Sequence, residues 1–202
     1  MNELTIIAQD PSVKDGRNRI LKSQVSITNE KLGPGPRGYR VHVVDYDASQ
    51  RVLYKPAVVS SGDDDRFADA ADSTLLSDPE FHAQNSYAVI MRILEYFEFA
   101  LGRRISWGFG GHQIHVAPHA FADANAYYSE DDHGLFFGYF PGSDNRPVYN
   151  CLSHDVLAHE ACHAFWMDCA TATHFLPIPI RPVFMKDMRI LSLCSLSLRC
   201  AT

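Results

Sequence analysis

The run from Asp78 to Gly102 constrains this chain more than any other. An Asp can accept from the free amides of a first helical turn, and the following Pro79 suits that turn because its missing N–H is no loss there. Ile90, Leu94, Phe97 and Leu101 recur at helical spacing, and Gly102 can take the left-handed backbone that ends a helix. A helix over 79–101 is therefore predicted. Its apolar stripe must lie against another layer.

The neighbouring stretches offer that layer as strands. "YRVHVVDYDASQRVLYKPAVV" alternates and is rich in Val and Tyr, which predicts two strands joined by a turn at Asp47–Gln50. "HQIHVAPHA" places His112, Ile114 and Val116 on one face and Gln113 and His115 on the other. That period splits His112, His115 and His119 across the two faces, so the three are not expected to share an ion. "NAYYSEDDHGLFFGYF" reads as a hairpin turning at Ser129–Gly134. Residues 1–37 read as polar and turn-rich, and "SSGDDDRFADAADS" as a solvated acidic loop. The expected class is α+β: an antiparallel or mixed sheet with a long packed helix. Its expected parts are a β-rich region over 1–78, a second unit over 79–168, and a tail over 169–202.

Chemistry concentrates in "CLSHDVLAHEACHAFWMD". His159-Glu160-Ala161-Cys162-His163 is H-E-x-x-H, starting a few residues into a helix that begins at Ser153 or Asp155. Positions i and i+4 share a helix face, so both imidazoles can point at one ion. Glu160 is rotated by about 100° from His159 and borders that ion without binding it. This is the place for a general base that takes a proton from zinc-bound water. Val156, Leu157, Ala161 and Phe165 are available to bury the opposite face. Asp155, four residues before His159, can support the helix start or a ligand from the second coordination shell.

Trp166 and Cys169 stand where a metzincin would carry Gly and His, so that continuation fails. "NAYY", an aromatic hairpin, a Gly-containing loop and then "DVLAHEACHA" resemble the thermolysin-like zinc metallopeptidases, the gluzincins, over roughly residues 85–168. The resemblance implies a zincin-like fold, Zn²⁺ as cofactor, His159 and His163 as metal ligands and Glu160 as catalytic base. It also implies an edge strand that pairs with the substrate backbone, a role carried to Asn125 and Ala126.

Gluzincins take a third ligand from a Glu on the next helix, and here no Glu follows Glu160. Asp168 lies off the His163 face. Asp187 and His174 are the alternatives. The segment from Cys169 onward differs in composition, ending in a Leu/Ser/Cys run without clear period. It is expected to be out of frame or disordered. Shifting the codon frame turns Met167-Asp168-Cys169 into Gly-Leu and Met185-Lys186 into Glu, near the distance at which the family carries its third ligand. The region that completes the gluzincin cleft, a C-terminal helical domain, is missing on this reading. The expectation is a metalloendopeptidase-type protein that is inactive or nearly so as it stands. The alternative is a non-catalytic zinc- or peptide-binding fragment.

The net charge of −6, with no long run of one sign, gives no support to a nucleic-acid or anionic-membrane partner. A peptide or protein substrate is the partner expected. The N-terminus has no basic start followed by an apolar run, so a cytoplasmic location is the default expectation. The five cysteines fit no zinc-finger spacing and are expected as reduced thiols.

Overall fold

A computed structural model describes residues 2–59 and 65–172, residues 2 and 166–172 by their backbone alone. The element order is β1 (Asn2–Ile7), β2 (Lys22–Ile27), β3 (Val41–Val43), β4 (Tyr46–Asp47), β5 (Val52–Leu53), α1 (Asp72–Ser77) and α2 (Pro79–Leu101). Then come β6 (Ile114–Phe121), β7 (Ala126–Ser129), β8 (Gly134–Pro141), β9 (Pro147–Tyr149), a 3-10 turn (Asn150–Leu152) and α3 (His154–Ala172). The class is α+β.

α2 forms as its sequence dictates. The Asp78 side chain accepts from the Glu80 amide, Pro79 opens the first turn, and Gly102 closes the helix at φ 65°. Its burial differs from a one-sided stripe. Every residue from Phe81 to Met91 is buried, including His82, Gln84, Asn85 and Ser86, whereas Leu101 is 46% exposed. The reason is that α2 runs through the middle of the molecule. The β1–β2 hairpin covers one side; the main sheet, the 3-10 turn and α3 cover the rest. A helical stretch buried like Phe81–Met91 must satisfy its polar groups internally, and it does. Asn85 accepts from the Ile7 amide at 2.9 Å and donates to the Cys151 carbonyl at 3.0 Å.

The N-terminal region is more ordered than its turn-rich composition suggests. β1 and β2 pair antiparallel, Asn2 opposite Ile27 through Ile7 opposite Lys22, and they supply Leu4, Ile6, Ile7, Val25 and Ile27 to the core. The stretch expected as an acidic loop gives way to α1, and residues 60–64 of it lie outside the described ones. The loop residue Asp65 anchors this region, accepting from the Thr5 and Phe67 amides and the Gln84 carboxamide.

The main sheet is mixed, with strand order β3-β6-β8-β7. β3 and β8 run parallel to β6, and β7 runs antiparallel to β8, Ala126 opposite Phe137 through Ser129 opposite Gly134. The hairpin turn thus falls where Ser129–Gly134 was expected. β7 is an edge strand among the described residues. β9 extends β8 at its far end and delivers the chain through the 3-10 turn into α3. α3 buries Leu157, Ala158, Ala161, Ala164 and Phe165, with Val156 half-buried. Phe165 stacks on Trp107 at 4.8 Å between ring centres, which fixes α3 against the loop after α2.

Candidate functional site

His159 and His163 sit one turn apart on the face of α3 that is not packed into the core. His159 is exposed and His163 half-buried. Their Nε2 atoms lie 3.0 Å apart, with the rings nearly perpendicular at 83°. Two imidazole nitrogens on one tetrahedral zinc stand about 3.3 Å apart, given Zn–N bonds near 2.05 Å. The separation of the two nitrogens is therefore within a few tenths of an ångström of what one ion requires. Burial and the neighbouring His159 ring both lower the His163 pKa, which favours the neutral imidazole that a metal requires.

Glu160, on the face of α3 adjoining that of His159, is buried. Burial drives its carboxyl up to about 7, with the Tyr128 backbone amide acting in the opposite direction. Its neighbour is therefore the edge strand, since Tyr128 belongs to β7. A carboxyl poised near neutrality can both take and return a proton. Asp155 is exposed, and its carboxylate lies 3.8 Å from His154 Nδ1; this is the ring contact the structure gives it, rather than one with His159.

Asn125 immediately precedes β7 and Ala126 opens it. The Asn125 carbonyl accepts from the Gly138 amide at 2.9 Å and from Asn150 Nδ2 at 2.8 Å, while its own Oδ1 caps the Ala126 amide at 2.9 Å. These contacts fix where β7 begins. On the side of Asn125 and Tyr127 the sheet carries a shallow hollow of about 430 Å³, walled by Tyr46, Phe121 and Phe136. The Tyr127 ring stacks on Phe121 and Phe136 there.

A second cluster lies in the interior. His82 from α2, His119 from β6 and Cys151 from the 3-10 turn bring their ligand atoms within 4.8 Å of one another, all buried. This group can hold a metal ion. His82 Nδ1 stands 2.7 Å from His119 Nε2. The outward nitrogens are both engaged: His82 Nε2 with the Leu75 carbonyl at 3.1 Å, and His119 Nδ1 with Asp45 Oδ2 at 2.7 Å. A carbonyl can only accept, so His82 Nε2 carries hydrogen. Burial, reinforced by His119, lowers the His82 pKa to about 3. Burial raises the Cys151 thiol well above its usual range.

Sequence reasoning missed this cluster for a physical reason. Strict alternation along β6 separates His119 from the buried face, but the register against β8 slips between Ala117 and Phe121. Ala117 through Ala120 are consequently all buried, and His119 turns inward. His112 and His115 are not members of this group. His82 and Cys151 carried no signal, since no local spacing links residues from a helix, a strand and a turn.

No family model, no curated protein and no solved structure matches this chain. Residues 169–172 of the expected tail continue α3, whereas Asp187, His174 and the rest of the segment, 173–202, lie outside the described residues, and so do the readings made of them. No helix among the described residues is long and apolar enough to cross a membrane.

Proposed function

We propose that the chain is of the zinc metalloendopeptidase type, with a zincin-like arrangement in which α3 carries the site and β7 borders it. The observation that carries this reading is the convergence of His159 Nε2 and His163 Nε2 at 3.0 Å on an accessible helix face, with Glu160 on the adjoining face. A bound Zn²⁺ would polarise a peptide carbonyl and bring a water molecule to a pKa near 7. His159 and His163 would hold the ion as neutral imidazoles. Glu160 would accept the proton from water and return it to the leaving amine. The edge strand β7, opened by Ala126 just after Asn125, would lie alongside an extended peptide, which would have to take over the Ala126 amide from the Asn125 side chain.

Among the described residues no third His, Cys, Asp or Glu joins His159 and His163. That observation favours a second reading, a zinc- or peptide-binding role without turnover. It also supports the expectation that the chain hydrolyses peptides weakly or not at all, because two imidazoles hold zinc poorly.

The test is metal analysis of the purified full chain with casein hydrolysis alongside. His159→Ala and His163→Ala should each remove one zinc equivalent, and Glu160→Gln should keep it. Chelator-sensitive hydrolysis abolished by Glu160→Gln would establish an active peptidase. Zinc without hydrolysis would favour the binding role. Metal content unaffected by either His substitution would overturn the site.

A further inference from the structure

The interior cluster has the outer architecture of a metal centre. Ligating imidazoles almost always donate their second N–H to a carboxylate or a backbone carbonyl, which fixes the tautomer and aims the lone pair. Both arrangements occur here at once. Asp45 engages His119 Nδ1 and also accepts from the His119 backbone amide at 3.0 Å, so ring and backbone are held together. The Leu75 carbonyl engages His82 Nε2. The two remaining ring nitrogens face each other, and the Cys151 sulfur completes a ring of three donors drawn from three elements.

We propose that His82, His119 and Cys151 bind Zn²⁺ as a second centre, separate from the one on α3, and that this ion pins α2, β6 and the start of α3 to one another. Thiolate with imidazole is a donor set that suits zinc. Charge supports the same assignment. Zn²⁺ together with the Cys151 thiolate and the Asp45 carboxylate sums to zero, so the ion adds no uncompensated charge to the interior. The site is closed: His82 and Cys151 are 0% exposed, and the rings of Tyr54 and Tyr149 stand over the two imidazoles at 4.6–5.1 Å. That enclosure leaves no approach for a substrate, and with three protein donors the fourth tetrahedral position would fall to a water molecule. Entry of the ion needs the two nitrogens to part from 2.7 Å to about 3.3 Å, a small ring rotation. Cys151 lies three residues before the start of α3, so the same ion sets where the His159–His163 helix begins.

The experiment separates this centre from the one on α3. The full chain carrying His159→Ala and His163→Ala together should retain one zinc equivalent. Loaded with cobalt instead, it should show the near-ultraviolet thiolate-to-cobalt charge-transfer band. Adding Cys151→Ala should remove both the metal and the band, while Cys162→Ser in its place should leave both. Stripping the metal from the double-histidine variant should lower its melting temperature by several degrees, and zinc should restore it. If the double-histidine variant binds no metal, shows no thiolate band, or keeps the band after Cys151→Ala, the proposal is wrong. Should the Cys151→Ala protein fail to fold, the cobalt spectrum of the double-histidine variant decides alone.

Discussion

The Asn85 carboxamide donates to the backbone carbonyl of Cys151 at 3.0 Å, so a polar residue in the middle of α2 holds the turn that leads into α3. The other half of the same group accepts from the Ile7 amide of β1 at 2.9 Å. One fully buried side chain thus ties the N-terminal hairpin, the central helix and the approach to α3. Asn85→Leu should leave a buried N–H and a buried C=O without partners, at a cost of about 1–3 kcal/mol each. Chemical denaturation should therefore show a loss of about 3 kcal/mol, and a loss below about 0.5 kcal/mol would refute the role given to Asn85.

Arg40 locks the far end of α2. Its guanidinium pairs with Glu98 at 2.7 Å, donates to the carbonyls of His112 and Ile105, and lies over the Trp107 ring at 5.4 Å. Its side chain is 9% exposed, so the charge depends on these partners. Glu98→Gln keeps the shape but strands a buried cation, and should destabilise by about 3 kcal/mol. Salt should weaken this effect little, because the pair is largely shielded from solvent. A strongly salt-dependent or negligible loss would mean that the pair is effectively a surface one.

Gly138 controls the position of the edge strand through space rather than backbone freedom. A Cβ there would stand 2.2 Å from the Asp123 carbonyl oxygen and 2.8 Å from that of Asn125. Both belong to the connection between β6 and β7, which has to shift to admit a methyl group. Gly138→Ala should cost about 2 kcal/mol, in the range of overpacking effects. Gly16→Ala, where nothing lies within 4 Å, should be near neutral in the same assay. Equal stability of the two variants would show that β7 is not held by this contact.

Asp65 makes the acid limb of stability testable. Burial alone would raise its pKa, but hydrogen bonds from Thr5, Phe67 and Gln84 outweigh that and hold it below the usual value of 3.8. A carboxyl lowered in the folded state binds fewer protons than when unfolded, over the interval between the two pKa values. Its contribution is complete above the unfolded value and is lost as pH falls through the folded one. Asp65→Asn should therefore flatten the loss of stability below about pH 4. An unchanged acid profile would remove Asp65 from the account of acid unfolding.

The local elements were legible wherever one short stretch carried the whole signal. Asp78, Pro79 and Gly102 bound a helix by backbone chemistry acting within a turn, and the structure keeps those bounds. The aromatic hairpin and its turn follow from alternation and turn residues in the same way. His159 and His163 are juxtaposed by helix geometry alone, so their meeting on one face required only that α3 form. The N-terminal hairpin was hidden because its turn-rich connections outweighed two strands whose apolar faces are completed from elsewhere.

What the amino-acid order determined by itself was the set of interactions that span four residues or fewer: caps, turns, and the two imidazoles a helical turn apart. Tertiary packing alone decided that α2 is enclosed from Phe81 to Met91 and that, among the described residues, β7 is an edge strand beside Glu160. It also decided that His82, His119 and Cys151 meet in the interior. Those outcomes depend on a slipped register in β6 and on three elements closing around one helix. Neither is encoded in the spacing of any single segment, because the energy that selects them is the burial of surfaces far apart along the chain.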